Sequence, residues 1–126
     1  MFDYTKINSE TWDSWASDGC EWSLPISHEE YEKTNVDNFA VYLTPCITVP
    51  HEWFGELKGK KVLGLASGGG QQMPVLSKLG AECTVFDYSD KQLEAEKWYP
   101  KEKDTTLQSL RVICQSLFPL KMKVLI

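Results

Sequence analysis

The clearest structural signal in this chain lies in residues 61–89, KVLGLASGGGQQMPVLSKLGAECTVFDYS. An apolar run over residues 62–66 ends at three glycines, and a helical pattern follows from Gln71 to Leu79. Gly80 breaks that helix, and a second apolar run over residues 83–86 ends on Asp87. The pattern predicts a strand, a glycine turn, a helix and a second strand that ends on an acid. This order is half of a nucleotide-binding α/β unit.

The spacing within this unit favours a bound nucleoside. Asp87 lies 17 residues after Gly70, close to the spacing of about 20 expected for a carboxylate that binds a ribose. Glycines suit such a turn because a side chain there would keep the backbone away from a ligand. The start of the following helix offers unpaired N–H groups to whatever is bound.

Residues 62–70, VLGLASGGG, resemble motif I of class I S-adenosylmethionine-dependent methyltransferases of the small type 11 group. That motif reads roughly Val-Leu-Asp-Leu-Gly-Cys-Gly-x-Gly. Gly64 stands where the family usually has an acid, and Ala66 replaces the first glycine. The matching positions are Leu63, Leu65, Gly68 and Gly70. Residues 86–95, FDYSDKQLEA, are similar to the end of the family's second strand and the helix after it.

The resemblance implies a partial Rossmann-like α/β fold, with an amino-terminal helical, Trp-rich extension and an incomplete sheet. It also implies S-adenosyl-L-methionine as the cofactor. In the family, Asp87 would accept hydrogen bonds from both ribose hydroxyls, and Tyr88 would lie next to the adenine. Gly68 and Gly70 would approach the methionine part of the cofactor. Three weaker candidates for cofactor contact are Ala66, Ser67 and Gln71.

The implied reaction is an in-line attack of a substrate nucleophile on the sulfonium methyl group. Because the protein contributes mainly positioning, no dedicated acid or base is required, and no catalytic residue is named from the sequence. The methyl acceptor is not evident, although a small molecule is favoured. As a shortened chain, the polypeptide is expected to have little or no activity.

Composition limits the alternatives. A chain of 126 residues forms one domain at most, and 42% apolar residues indicate a globular protein. The net charge of -5 argues against a nucleic-acid-binding surface. With no signal peptide and no apolar run long enough to span a membrane, we expect a cytoplasmic protein. The four cysteines lie far apart, and neither histidine sits at metal-ligand spacing to any of them, which argues against a zinc site. The oligomeric state is not readable from the sequence.

The amino-terminal segment has helical and extended patterns. A helix is predicted to begin after Asn8 or Ser9 and to carry Trp12, Trp15 and Ala16 on one face. Similar Trp-rich segments in the family form a flap over the cofactor, and aromatic faces attract a sulfonium cation. For Trp12 and Trp22, however, the favoured interpretation is that they only cover the open edge of the sheet. Both interpretations apply equally to Trp15.

A second helix is predicted from about His28 to Lys33, since residues 27–30 have the Ser-x-x-Glu form of a capping box. Residues 42–45 and 49–50 are predicted to form an extended linker, and residues 50–54 one helical turn.

Three segments follow from these patterns. Residues 1–57 form a helical and extended cap, residues 58–97 form the first β-α-β-α of a cofactor-binding domain, and residues 98–126 form a tail outside the family pattern. Only two strands of the sheet are assigned. Because parallel strands are buried on both faces, their apolar residues need neighbours on each side. These residues are Val62, Leu65, Val85 and Phe86.

The tail has weak patterns of its own. Leu107, Leu110, Ile113 and Leu117 are spaced like one face of a helix, and residues 121–126 could form an edge strand.

Two interpretations from other classes stay open. An NAD(P)-binding oxidoreductase would share the strand, turn, helix, strand and acid, although it expects Gly-x-Gly-x-x-Gly, which fits poorly here. The second interpretation is a non-catalytic module that binds a partner through its Trp-rich face.

The tail also generates a prediction about the gene. If the codon of Lys97 is AAA and one A is restored, suitable codons for residues 112–125 permit Asp-Met-Ser-Lys-Ser-Phe-Pro-Phe-Glu-Asp-Glu-Ser-Phe-Asp, which is typical of the family. We therefore expect the tail from about Trp98 to Ile126 to be a frameshifted product. Resequencing across the Lys97 codon should show the missing base. An intact frame, with relatives that share this tail, would contradict the hypothesis.

Overall fold

The computed structural model describes residues 3–96 and 107–111. Its helices are α1 (Tyr4–Ser17), α2 (His28–Lys33), α3 (Met73–Lys78) and α4 (Asp90–Glu96), with 3-10 turns at Glu21–Ser23 and His51–Trp53. Its strands are β1 (Tyr42–Thr44), β2 (Ile47–Thr48), β3 (Lys61–Leu65), β4 (Glu82–Asp87) and β5 (Leu107–Arg111).

A three-stranded parallel sheet organises the chain. Its order is β3-β4-β5, and the β3–β4 register runs from Lys61 opposite Glu82 to Leu65 opposite Phe86. The predicted strand, glycine turn, helix and strand are confirmed, although α3 is shorter than the predicted 71–79. The α/β class is therefore confirmed.

The apolar core packs around the central strand, β4. Its residues Cys83 and Val85 are 1% and 0% exposed. Burial of this kind supplies the main favourable free energy of folding. The other buried members of the core are Phe39, Leu57, Met73, Val75, Leu76, Ala81 and Leu93.

The sheet differs from the sequence prediction at both of its edges. Leu65 is expected to be buried, but its side chain is 62% exposed at the carboxyl end of β3. The spacing of Leu107 and Leu110 predicted a helix, but residues 107–111 form β5, which pairs in parallel with β4. The predictions for Ile113, Leu117 and residues 121–126 lie outside the described residues.

The amino-terminal segment contains one confirmed cap and two corrections. The capping box of α2 is present, with Ser27 and Glu30 bonding reciprocally. Helix α1 begins earlier than predicted, at Tyr4, because the Asp3 side chain accepts a hydrogen bond from the Lys6 N–H. The extended linker predicted at residues 42–45 and 49–50 includes β1, which pairs antiparallel with β2.

Within the described ranges, no helix has both the length and the apolar character needed to cross a membrane.

Gly64 is a packing requirement of β3. A Cβ atom at this buried position would lie 2.7 Å from Ser67 Oγ and 2.9 Å from Met73 Sδ. Both distances are shorter than a normal contact, so a side chain here would force the Ser67 and Met73 side chains to move. The acid that the resembling family has at this position would need the same two side chains to move.

We predict that Gly64→Ala lowers the free energy of unfolding by about 1–3 kcal/mol, the usual cost of overpacking. Denaturant titration would measure it. The matched control is Leu65→Ala, at the neighbouring exposed position, where we expect a change within about 0.5 kcal/mol. Equal effects at the two positions would contradict the packing argument.

Candidate functional site

The carboxyl ends of β3 and β4 lie side by side. Leu65 is in register with Phe86, and the Ala66 N–H donates a hydrogen bond to the Phe86 carbonyl at 2.8 Å. The first residue of the glycine turn is therefore held next to the end of β4, where Asp87 lies. Ligands of open parallel sheets bind at this end of the strands.

A cavity of about 380 Å³ opens at this place. Its volume lies within the range of small-molecule sites, roughly 300–1,000 Å³. It is lined by Trp12, Trp22, Ala66, Ser67, Gly68, Asp87 and Gln92. The structure thus brings together four of the predicted site residues, from two separate loops. Gly70, Gln71 and Tyr88, also predicted, are not among the lining residues.

The turn after β3 has an unusual backbone. Gly68 has a φ of 86°, a left-handed conformation that glycine adopts without steric cost. Ala66 has a φ of 47°, which costs a residue with a Cβ atom about 1–2 kcal/mol. Backbone strain of this kind is concentrated at functional sites.

Gly70 and Gln71 contact the amino-terminal segment. The Gly70 carbonyl accepts a hydrogen bond from the Ile26 N–H at 3.0 Å. Gln71 Nε2 donates to the Glu21 carbonyl at 2.7 Å. These two residues therefore hold the segment 21–26, which includes Trp22, against the glycine turn. Their direct contact with a cofactor stays a prediction.

Gln92 was missed by the sequence analysis. It is buried at 3% exposure, and its Nε2 donates to Ser23 Oγ at 2.7 Å. Its Oε1 is buried and has no hydrogen-bond partner among the described residues. A Cβ atom at Gly69 would lie 2.6 Å from this oxygen and 2.5 Å from the Ser23 carbonyl oxygen. Gly69 is therefore required by close packing between three segments.

Two tryptophans form the aromatic part of the cavity. Trp12 and Trp22 are 39% and 50% exposed, so their rings are accessible. Both rings line the cavity, and the favoured interpretation, that they cover a sheet edge, stays a prediction. Trp15 packs edge-on against Trp12, with ring centroids 5.0 Å apart, and is not a lining residue. Only the tertiary fold brings Trp12 and Trp22 to one place.

Asp87 is the only ionisable side chain among the described residues that line the cavity. Burial raises its pKa above the ordinary value of 3.8, and the nearby charge of Asp13 acts in the same direction. The backbone N–H groups of Ser89 and Tyr88 oppose this shift by bonding to the carboxylate. The Ser89 bond measures 2.9 Å. Asp87 is thus a partly desolvated acceptor, oriented by backbone and open to the cavity.

The backbone of Tyr88 contacts the first helix. Its carbonyl oxygen accepts a hydrogen bond from Ser9 Oγ at 2.9 Å, which connects it to α1. Its contact with adenine stays a prediction.

Over residues 3–96 and 107–111, no group of three or more His, Cys, Asp or Glu residues could hold a metal ion.

The chain is similar to an uncharacterized methyltransferase, YbaJ, of Bacillus subtilis (strain 168). The two are 39% identical over 104 residues, which are 82% of this chain and 41% of the relative. The chain thus spans about two fifths of the length of the curated relative that it matches. No family model matches it.

The raised pKa of Asp87 predicts a pH-dependent stability. A folded-state pKa above the unfolded value means that the folded chain binds this proton more tightly. The stabilisation that protonated Asp87 contributes to the folded chain is therefore present below pH 3.8. It is lost as pH rises from 3.8 through the raised pKa. Asp87→Asn should remove this loss while keeping an acceptor for the Ser89 N–H.

Denaturant titrations of both proteins across the window just above pH 3.8 would measure this difference. We expect Asp87→Asn to gain stability relative to the natural chain as pH rises. A difference that does not change with pH would contradict the burial of this charge.

Proposed function

We propose that this chain is the cofactor-binding part of an S-adenosylmethionine-dependent methyltransferase with a Rossmann-like fold. One observation carries the proposal: the turn at residues 66–68 and Asp87 line the same cavity, at the carboxyl ends of neighbouring parallel strands. The similarity to a protein named as a methyltransferase supports the same conclusion.

The residues present fit this cofactor. The Asp87 carboxylate would accept hydrogen bonds from the ribose hydroxyls, as a partly buried acceptor of known orientation. The backbone at Gly68 has no side chain, so the methionine part would approach it closely. Accessible Trp12 and Trp22 rings offer faces that attract a cation, and the cofactor has a sulfonium.

The charge of the cavity distinguishes between dinucleotide and sulfonium cofactors. The described lining residues include one acid and no lysine or arginine. The acid and the accessible tryptophan faces suit a cationic sulfonium, whereas a pyrophosphate would rely on the backbone N–H groups of the turn. The lining therefore favours S-adenosylmethionine over NAD(P).

The chemistry follows from positioning. S-adenosylmethionine supplies an activated methyl group when bound. The residues of this chain would fix the nucleoside and exclude water from one side of it, so that an acceptor could approach in line. We propose a small-molecule acceptor, since the acidic net charge of -5 disfavours phosphate backbones. The division into a cap (1–57), a cofactor-binding segment (58–97) and a tail (98–126) belongs to this proposal.

We predict that the purified chain binds S-adenosylhomocysteine in calorimetric titration, and that Asp87→Asn weakens this binding at least about tenfold. Hydrogen bonds to a charged group contribute about 1.5–3 kcal/mol each, and about 1.4 kcal/mol corresponds to tenfold. The control is Glu82→Gln, at the exposed amino end of the same strand, with no expected effect.

NAD serves as the comparison ligand. Tighter binding of NAD would favour the oxidoreductase class instead. If neither S-adenosylhomocysteine nor NAD binds, the proposed function is overturned. An interaction module is then the interpretation to test, by capture of partners.

A further inference from the structure

One face of α1 lies against the turn that follows Asp87. Ser9, Trp12 and Asp13 have the i, i+3, i+4 spacing that places side chains on the same side of a helix. Ser9 is 8% exposed, although it is polar and lies within the first helix. Trp12, between the two polar residues, lines the candidate cavity.

Asp13 bonds to two groups of this turn. Its Oδ1 accepts from Ser89 Oγ at 2.5 Å and from the Lys91 N–H at 3.1 Å. Ser89 is 2% exposed, so water does not compete freely for its hydroxyl. Hydrogen bonds to an ionised acceptor are stronger than neutral ones. Asp13 therefore links α1 to the start of α4 through two hydrogen bonds.

Ser89 transmits this connection to Asp87. While its hydroxyl donates to Asp13, its backbone N–H donates to Asp87 Oδ1 at 2.9 Å. The same hydroxyl accepts from the Gln92 N–H at 3.2 Å, and Gln92 is another lining residue. One serine thus joins Asp13 to two sides of the cavity.

The arrangement has an electrostatic cost, because it places a second carboxylate near Asp87. Capping the seven-residue α4 would not by itself require an acid from a helix 78 residues away in sequence. Ser89, directly before α4, already supplies a side-chain cap, since its hydroxyl accepts from the Gln92 N–H. The distant acid instead holds α1, and Trp12 with it, beside the carboxylate.

We propose that Asp13 is a positioning residue of the cofactor site. Through Ser89 it orients the Asp87 carboxylate, and through α1 it keeps Trp12 at the cavity. This inference rests on the proposed function and adds a residue outside the segment that resembles the family motifs.

Three variants test it. Asp13→Ala removes the acceptor, Asp13→Asn keeps an oxygen at the same position, and Glu10→Ala changes an exposed acid of the same helix that pairs only with Lys6 among the described contacts. In calorimetric titration with S-adenosylhomocysteine, we expect Asp13→Ala to weaken binding about tenfold. Asp13→Asn should recover most of that loss, and Glu10→Ala should bind like the natural chain.

A double-mutant cycle separates positioning from simple loss of stability. If Asp13 acts through Asp87, the losses caused by Asp13→Ala and Asp87→Asn will not multiply in the double variant. Fully multiplicative losses, unchanged affinity in Asp13→Ala, or no recovery in Asp13→Asn would each overturn the proposal.

Amide hydrogen exchange provides a readout that needs no ligand. Asp13→Ala should raise exchange in α1 and in residues 88–91 together, while Asp13→Asn and Glu10→Ala should not. Unchanged exchange in residues 88–91 of Asp13→Ala would overturn the proposal even if the cofactor binds. If the natural chain binds no S-adenosylhomocysteine, the proposed function fails, and this exchange pattern alone decides whether Asp13 positions the turn.

Discussion

The parallel pairing of β3 with β4 is the constraint on which the candidate site depends. Its last bond, from the Ala66 N–H to the Phe86 carbonyl at 2.8 Å, brings two loops together that are about 20 residues apart in the sequence. Because successive side chains of a strand point to opposite faces, a shift of one residue in this register would turn Asp87 away from the cavity. The burial of Cys83 and Val85 opposes such a shift, since it would expose them to solvent.

Close packing around the glycine turn is the second constraint. Gly69 leaves room for the Ser23 carbonyl and the Gln92 amide, and the Gly70 carbonyl accepts the Ile26 N–H. The amino-terminal segment is thereby bound to the turn by backbone and buried polar groups, which are costly to leave unpaired. Trp22 reaches the cavity through this attachment, and Trp12 reaches it through α1. The cavity is therefore built as much by residues 9–26 as by the segment with the recognisable motif.

Several elements were predicted correctly because their signals are local. The capping box at Ser27 involves residues three apart, and the alternation of apolar runs with glycine around β3, α3 and β4 reflects backbone preference and burial. The β1–β2 pair and β5 were not predicted. A two-residue strand such as Ile47–Thr48 has no periodicity to detect, and Leu107–Arg111 becomes a strand only because the free edge of β4 is available to pair with it.

The sequence by itself determined the α/β class, the glycine turn and the acid at the end of the second strand, since each depends on neighbouring residues and their conformational preferences. Tertiary structure alone decided which of the predicted site residues share a cavity. Gly70 and Gln71 lie two and three residues after Gly68, yet they bond to the amino-terminal segment. Trp12 and Gln92 enter the site from distant helices. Contacts of this kind depend on how separate elements pack. The number of residues between two positions does not tell how close they lie in the folded chain.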